Sequence, residues 1–182
     1  MAMKSATRLH RGYVQVYTGN GKGKTTAALG LAFRAAGRGF RTYIGQFCKG
    51  RKTGELEASR RLAPFIVIEQ FGRPLFLRGG EKPAAKDIDR ARRGLARCRK
   101  AMQSGDFRIV VLDEIALAVY FGLLTEDEIR DFLEERPAAV EIVLTGRKMP
   151  PSLLRRADLV TDMRERKHYF AQGVRARHGI ED

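Results

Sequence analysis

Tryptophan is missing from this 182-residue sequence, and cysteine and histidine are scarce, at two and three copies. Cys48 and Cys98 cannot build a disulfide framework and do not have metal-ligand spacing. They are expected to remain reduced thiols, as in a cytoplasmic protein. No Ser–His or Cys–His pairing stands out that would mark a nucleophilic hydrolase. No apolar run approaches the length of about 20 residues that spans a bilayer, so a membrane is excluded as a partner. Met1 to Arg11 carries charge without an apolar stretch behind it, and no secretory signal is expected there. Repeats, low-complexity tracts and Ser/Gly linkers are also lacking. One domain over residues 1–182 is therefore expected, with residues 1–11 as a flexible arm that could fold over a site.

Acidic residues are short as well. Thirty-five Lys and Arg stand against 21 Asp and Glu, a net charge of +14, which attracts polyanions. The basic residues are spread along the chain, as in Arg90, Arg92, Arg93, Arg97, Arg99 and Lys100, and form no concentrated arm. This favours a solvated basic surface over a nucleic-acid footprint.

What the sequence does have is an alternation of β-rich runs and helical stretches. Runs 12–18, 41–47, 65–70, 107–113, 140–145 and 159–163 read as strands. Residues 24–38 are apolar nearly all round, which predicts a buried helix. Gly54 to Leu62 is amphipathic. Residues 87–103 place Ile88, Ala91, Leu95, Cys98 and Met102 on one helical face. Thr125 with Glu128 is a capping-box signature for a helix ending before Pro137. Such an alternation predicts an α/β fold, a mainly parallel sheet flanked by helices on both faces. Its ligands bind at the C-terminal ends of the strands.

Two motifs fall at that edge. Residues 19–26 read G-N-G-K-G-K-T-T between a strand and a helix. Gly19, Gly21 and Gly23 let the backbone curl so that N–H groups point at an anion, and the following helix adds its positive end. Gly19, Asn20, Gly21, Lys22, Gly23, Lys24, Thr25 and Thr26 are thus candidate nucleotide-binding residues. Lys24 and Lys22 would act on the phosphates, and the Thr25 hydroxyl would ligate Mg²⁺. Aligned on G-x-x-x-x-G-K-[ST], however, Thr18 stands where the first glycine belongs. The second motif, IVVLDE at 109–114, ends an apolar strand in two carboxylates. Asp113 and Glu114 are both candidates for the Mg²⁺ corner, and one of them for capping a helix from Ile115. ATP with Mg²⁺ follows; the reaction does not.

The sequence resembles the P-loop-type corrinoid adenosyltransferases. The matching pieces are TGNGKGKTTAALG (18–30), QFCKG (46–50), VVLDEIALAVYFGLL (110–124), ERPAAVEIVLTGR (135–147) and RERKHYFAQGVRARHGIED (164–182). The shortened loop is itself a trait of that family. The resemblance implies a P-loop NTPase-like (RecA-like) fold. It also implies transfer of the 5′-deoxyadenosyl group of ATP to the Co(I) of cobalamin or a precursor corrinoid, releasing triphosphate. ATP would lie reversed on the loop, and the 164–182 tail would close on the site. A reduced flavoprotein as electron donor and a homodimer are implied partners. The family displaces the lower cobalt ligand with aromatic side chains after the third strand. Here Phe76, then Phe71, are the candidates, since the Phe/Trp pair of some relatives is impossible without tryptophan. Arg147 in TGR is a candidate nucleotide contact; Lys49 and His168 are further residues within reach of substrate.

Two rival readings are a conventional ATPase or phosphotransferase, using Gln46 or Glu114 to orient the attacking group, and a nucleic-acid-binding ATP module.

Overall fold

The computed structural model describes residues 10–73 and 83–181. Six parallel strands form one sheet in the order β3-β2-β4-β5-β1-β6. They are β1 (Val14–Thr18), β2 (Thr42–Gln46), β3 (Ile66–Gln70), β4 (Ile109–Asp113), β5 (Glu141–Thr145) and β6 (Leu159–Asp162). Between them run helices α1 (Lys24–Ala36), α2 (Gly54–Arg61), α3 (Ala85–Gln103), α4 (Ile115–Tyr120), α5 (Glu126–Glu134) and α6 (Pro151–Arg156), with a 3₁₀ turn at Tyr169–Gln172. The parallel sheet and its alternating helices are as the sequence pattern predicts; α6 and the 3₁₀ turn carry too little periodicity to be read from it.

Strand β4 shows why the sheet is buried on both sides. All five of its residues are buried, and successive side chains point to opposite faces. Ile109 and Val111 join Ala28, Ala32 and Ala35 of α1 on one face. Val110 and Leu112 join the larger core on the other, with Leu95 and Met102 of α3, Ile129 and Phe132 of α5, and Leu153 of α6.

Helix α1 departs from expectation. It buries only the stripe Lys24, Ala28, Ala32 and Ala35, while Phe33 is exposed. Its alanines let the helix lie close to the sheet, so Leu29 and Leu31 on its flanks are only partly buried against the core and Phe33 reaches solvent. The α3 face is as predicted: Ala91, Leu95, Cys98 and Met102 are buried, and Ile88 packs against the same core. Thr125 and Glu128 form the full capping box at the start of α5.

The register aligns the edge that matters. Gln70, Gln46 and Asp113 are direct partners across β3, β2 and β4, and Tyr17 pairs with Thr145 across β1 and β5. Strand β5 therefore sits between the loop strand β1 and the carboxylate strand β4.

Gly12, just before β1, donates its N–H to Ala138 O at 2.7 Å, and a Cβ there would overlap the Val140 carbonyl. Arg136 ties the junction by donating to Gly12 O and Val140 O at 3.0 and 2.9 Å. Both neighbours are backbone, so relief requires strand movement. Gly12→Ala is expected to cost about 1–3 kcal/mol, seen as a lower urea midpoint at unchanged slope; an unaltered midpoint would show that the strand yields freely.

Candidate active site

The loop after β1 is shaped by backbone conformations that side chains resist. Gly19 and Gly23 have φ of 97° and 121°, in the region that costs residues with a Cβ. Gly23 is the N-cap of α1, so the first turn of that helix opens onto the loop with its N–H groups free of intrahelical partners. The Gly21 N–H instead points away from any loop nest, donating to Met163 O at 2.7 Å. This ties the loop to the end of β6. The Lys24 side chain is folded back into the loop, donating to Gly19 O and Gly21 O at 2.8 and 2.7 Å. Burial lowers its pKa; Glu114 and Asp113 oppose that shift and Arg147 adds to it.

Asp113 is fully buried, and four donors surround its carboxylate. Oδ1 accepts from Thr25 Oγ1 at 2.8 Å and Thr145 Oγ1 at 2.7 Å. Oδ2 accepts from Lys49 Nζ at 2.9 Å and Gln46 Nε2 at 3.2 Å. Thr145 in turn accepts from the Glu114 N–H at 2.9 Å. The Thr145 hydroxyl on the neighbouring strand β5 thus touches both Asp113 and Glu114 where β4 passes into α4. Burial alone would lower the Lys49 ammonium, but the charge and hydrogen bond of Asp113, with Glu55 and Glu114, hold it above its ordinary value.

Glu114 follows Asp113 in a left-handed conformation, φ 60°. Its Oε2 is buried without a hydrogen-bond partner. Burial, then the neighbouring Asp113, raises its pKa, against the lowering influence of Lys49, Lys24 and Arg147. Cys48 and Lys148 are the other non-glycine residues with positive φ among those described. All three follow the C-terminal ends of central strands, and strain concentrated on one edge marks functional positions.

These groups face a cavity of about 540 Å³ lined by Lys22, Lys24, Thr25, Lys49, Glu114 and Arg147, among others. The C-terminal segment supplies another wall through His168 and Gly179 to Glu181. Lys22 Nζ donates to Ile180 O at 3.2 Å and lies 3.6 Å from Glu181 Oε1. Glu181 also accepts from Tyr169 Oη and from the N–H and guanidinium of Arg177, which depress its carboxyl to about 2. His168 Nδ1 accepts from Phe170 N at 3.0 Å and so caps the 3₁₀ turn.

The cavity thus gathers Lys22, Lys24, Thr25, Thr26, Glu114 and Arg147, with Asp113 directly behind Thr25. Asn20 is exposed. Phe71 is turned inward, its ring 5.9 Å from that of Phe47 and against Gly94, where a Cβ would come within 2.5 Å of it. Phe76 lies outside the described residues. Thr145 and Glu55 escaped the sequence reading: a strand-end threonine and a helix-start glutamate carry no motif, and only tertiary packing brings Thr145 to Asp113 and Glu55 to Gln46 and Lys49. Among the described residues no group of three or more His, Cys, Asp or Glu could hold a metal alone. The oxygens of Thr25 and Glu114 nevertheless suit Mg²⁺, which takes one or two carboxylates and completes its shell with substrate phosphates and water.

A raised Glu114 has a defined effect on stability. The folded state binds its proton more tightly than the unfolded chain does. Its contribution is therefore fully present below the ordinary value of 4.5 and is lost as pH rises through the higher folded value. Glu114→Gln stays neutral, so its stability relative to wild type is expected to grow as pH rises from about 4 to about 7. A flat difference between paired denaturation curves across that range would contradict it.

Comparison with known proteins bears on this cavity. The family model described as ATP:corrinoid adenosyltransferase BtuR/CobO/CobP matches residues 10–181. The chain is 34% identical to a corrinoid adenosyltransferase of Pseudomonas aeruginosa, over 96% of its own length and 85% of the relative's. It is 35% identical to the corrinoid adenosyltransferase of Escherichia coli K12, over 94% and 86%. Among solved structures it resembles the KaiC-like protein PH0186 of Pyrococcus horikoshii OT3, with a TM-score of 0.51 and 18% identity over 86% of this chain and 75% of that one. This last likeness concerns the fold, a RecA-like P-loop arrangement.

Proposed function

The chain belongs to the ATP:corrinoid adenosyltransferase family, and from that membership we propose how its own residues carry out the reaction. The enzyme transfers the 5′-deoxyadenosyl group of ATP to the Co(I) of a corrinoid. Cobalt supplies the electron pair for the new Co–C5′ bond, and the C5′–O bond breaks with its pair leaving on triphosphate. This displacement needs no general base. It needs alignment and a stabilised leaving group.

The observation that carries the assignment of roles is the convergence of Lys22, Lys24, Arg147 and the α1 N-terminus on one cavity. ATP lies reversed on this loop, with its triphosphate against those cations and N–H groups and its 5′ carbon toward the corrinoid. Gly19, Asn20, Gly21, Gly23 and Thr26 shape the cradle. Thr25 and Glu114 would hold Mg²⁺, because Asp113 has its oxygens occupied by four donors while Glu114 Oε2 has none. Bound there, Mg²⁺ would neutralise charge on the departing triphosphate. Asp113 positions Thr25 and, through Thr145, Glu114. Phe76 is the residue for lower-ligand displacement, since the Phe71 ring is engaged in the core.

The conventional ATPase reading is weakened by Gln46. It is fully buried and committed to Glu55, Asp113 and Gln70, so it cannot orient a water at a γ-phosphate. No helix among the described residues is long and apolar enough to cross a membrane. Electrons from a reduced flavoprotein, a homodimeric state and a cytoplasmic setting complete the proposal, resting on the family likeness; the two free thiols agree with a reducing compartment.

Anaerobic mixing with Mg-ATP and chemically reduced cob(I)alamin is expected to give the adenosylcobalamin spectrum with stoichiometric triphosphate. Lys24→Ala should slow this by about 10²-fold or more. Accumulation of ADP without a spectral change would overturn the proposal.

A further inference from the structure

Lys49 is absent from the phosphate-loop motif, yet it is among the most carefully held side chains at the site. It follows β2 through buried Phe47, whose N–H donates to Asp113 O at 2.8 Å, and through the left-handed Cys48, φ 57°. Its own carbonyl accepts from Gly72 N at 2.8 Å. A Cβ on Gly72 would overlap the Lys49 backbone, and one on Gly50 would press within 2.7 Å of Gly72 O. Two glycines thus let this turn interlock with the exit of β3. The side chain is three-quarters buried, with 22% exposed. It ends 2.9 Å from Asp113 Oδ2, 3.5 Å from Thr25 Oγ1 and 3.8 Å from Glu55 Oε1.

That location has a chemical meaning. In phosphate-loop enzymes a divalent ion commonly lies between the loop hydroxyl and the carboxylate ending the facing strand. Here an ammonium touches both Thr25 and Asp113, and it also lines the cavity that holds Lys22 and Lys24. An ammonium has three N–H donors, and Asp113 engages one at short range. The longer approaches to Thr25 and Glu55 leave donor capacity for a phosphate oxygen.

We infer that Lys49 is a resident cation of the triphosphate site, standing in the corner where a metal ion would otherwise bridge Thr25 and Asp113, with Asp113 as its counter-ion and positioning residue. This rests on the adenosyl-transfer reading and extends it. The triphosphate meets a cation built into the protein before any divalent ion arrives, and the metal is left to the Glu114 side. Lys49 then stabilises the leaving group, and the negative charge of Asp113 serves to hold it, since a lysine alone would be drawn out into the cavity by the nucleotide.

The test is calorimetric titration of inorganic triphosphate into the full chain in chelator, then with Mg²⁺. The proteins are wild type, Lys49→Ala, Lys49→Gln and Lys24→Ala. Glutamine can still donate to Asp113, which guards against loss of folding, and thermal melts check it. Metal-free affinity is expected to fall by about tenfold or more in both Lys49 variants. Mg²⁺ should restore more of it in them than it adds to wild type, and most in Lys49→Ala, because without the ammonium Asp113 keeps its negative charge for the ion. A purely structural role would not produce that difference in metal response. Wild-type binding in folded Lys49→Ala and Lys49→Gln, with loss only in Lys24→Ala, would overturn the inference and leave the adenosyl-transfer reading intact. Failure of wild type itself to bind triphosphate would overturn both.

Discussion

The site depends on a single buried charge. Asp113 is removed from water at the end of β4, and an isolated carboxylate there would be prohibitively costly. Its four donors come from the loop helix, from β5, from the turn after β2 and from β2 itself. Satisfying that one group fixes α1, β5 and the end of β2 with its following turn relative to β4. Removing Lys49, the cation among them, would leave the charge uncompensated, which in buried pairs costs about 3–5 kcal/mol, whereas losing one of the neutral donors costs about 1–3 kcal/mol. Thr25 is thereby aimed at the loop, Lys49 is held over the cavity, and Thr145 is oriented to receive the Glu114 N–H.

The strained residues gather around this carboxylate. Cys48, Glu114 and Lys148 leave the central strands in the left-handed region, which L residues enter at a cost of about 1–3 kcal/mol. The sheet and the Asp113 network over-determine those turns. In return, Glu114 reverses away from its strand with one oxygen buried and unpaired, and Lys49 turns back toward β4. A relaxed turn at either place would carry the side chain past the cavity.

Opposite this network, Lys22 binds the Ile180 carbonyl and lies near Glu181, so the C-terminal segment meets the loop on its solvent side. The cavity is therefore walled by elements distant in sequence: the loop after β1, the turn after β2, the end of β4, the Gly146–Arg147 turn after β5 and the segment ending at Glu181. Its cationic character is concentrated there, whereas many surface arginines are already paired, as Arg92 is with Glu128 and Arg99 with Glu135.

The sequence by itself determined the parallel α/β sheet, the α3 face, the capping box at Thr125, and the presence of a phosphate loop with an acidic partner. Each is a local matter, set by side-chain period, turn chemistry or the spacing of a few contiguous residues. The resemblance of separated motifs added the reaction. Tertiary structure alone decided which residues of the acidic corner have free oxygens, that Gln46 is locked away, that Phe71 turns inward, and that α1 buries a single stripe. Asp113 and Glu114 are adjacent and chemically alike, and no local pattern separates them. They differ because strand register places Thr145 and Gln46 beside one carboxylate, while a left-handed turn swings the other toward the cavity. Register and turn geometry are settled by packing across the whole sheet, and so they cannot be read from either motif alone.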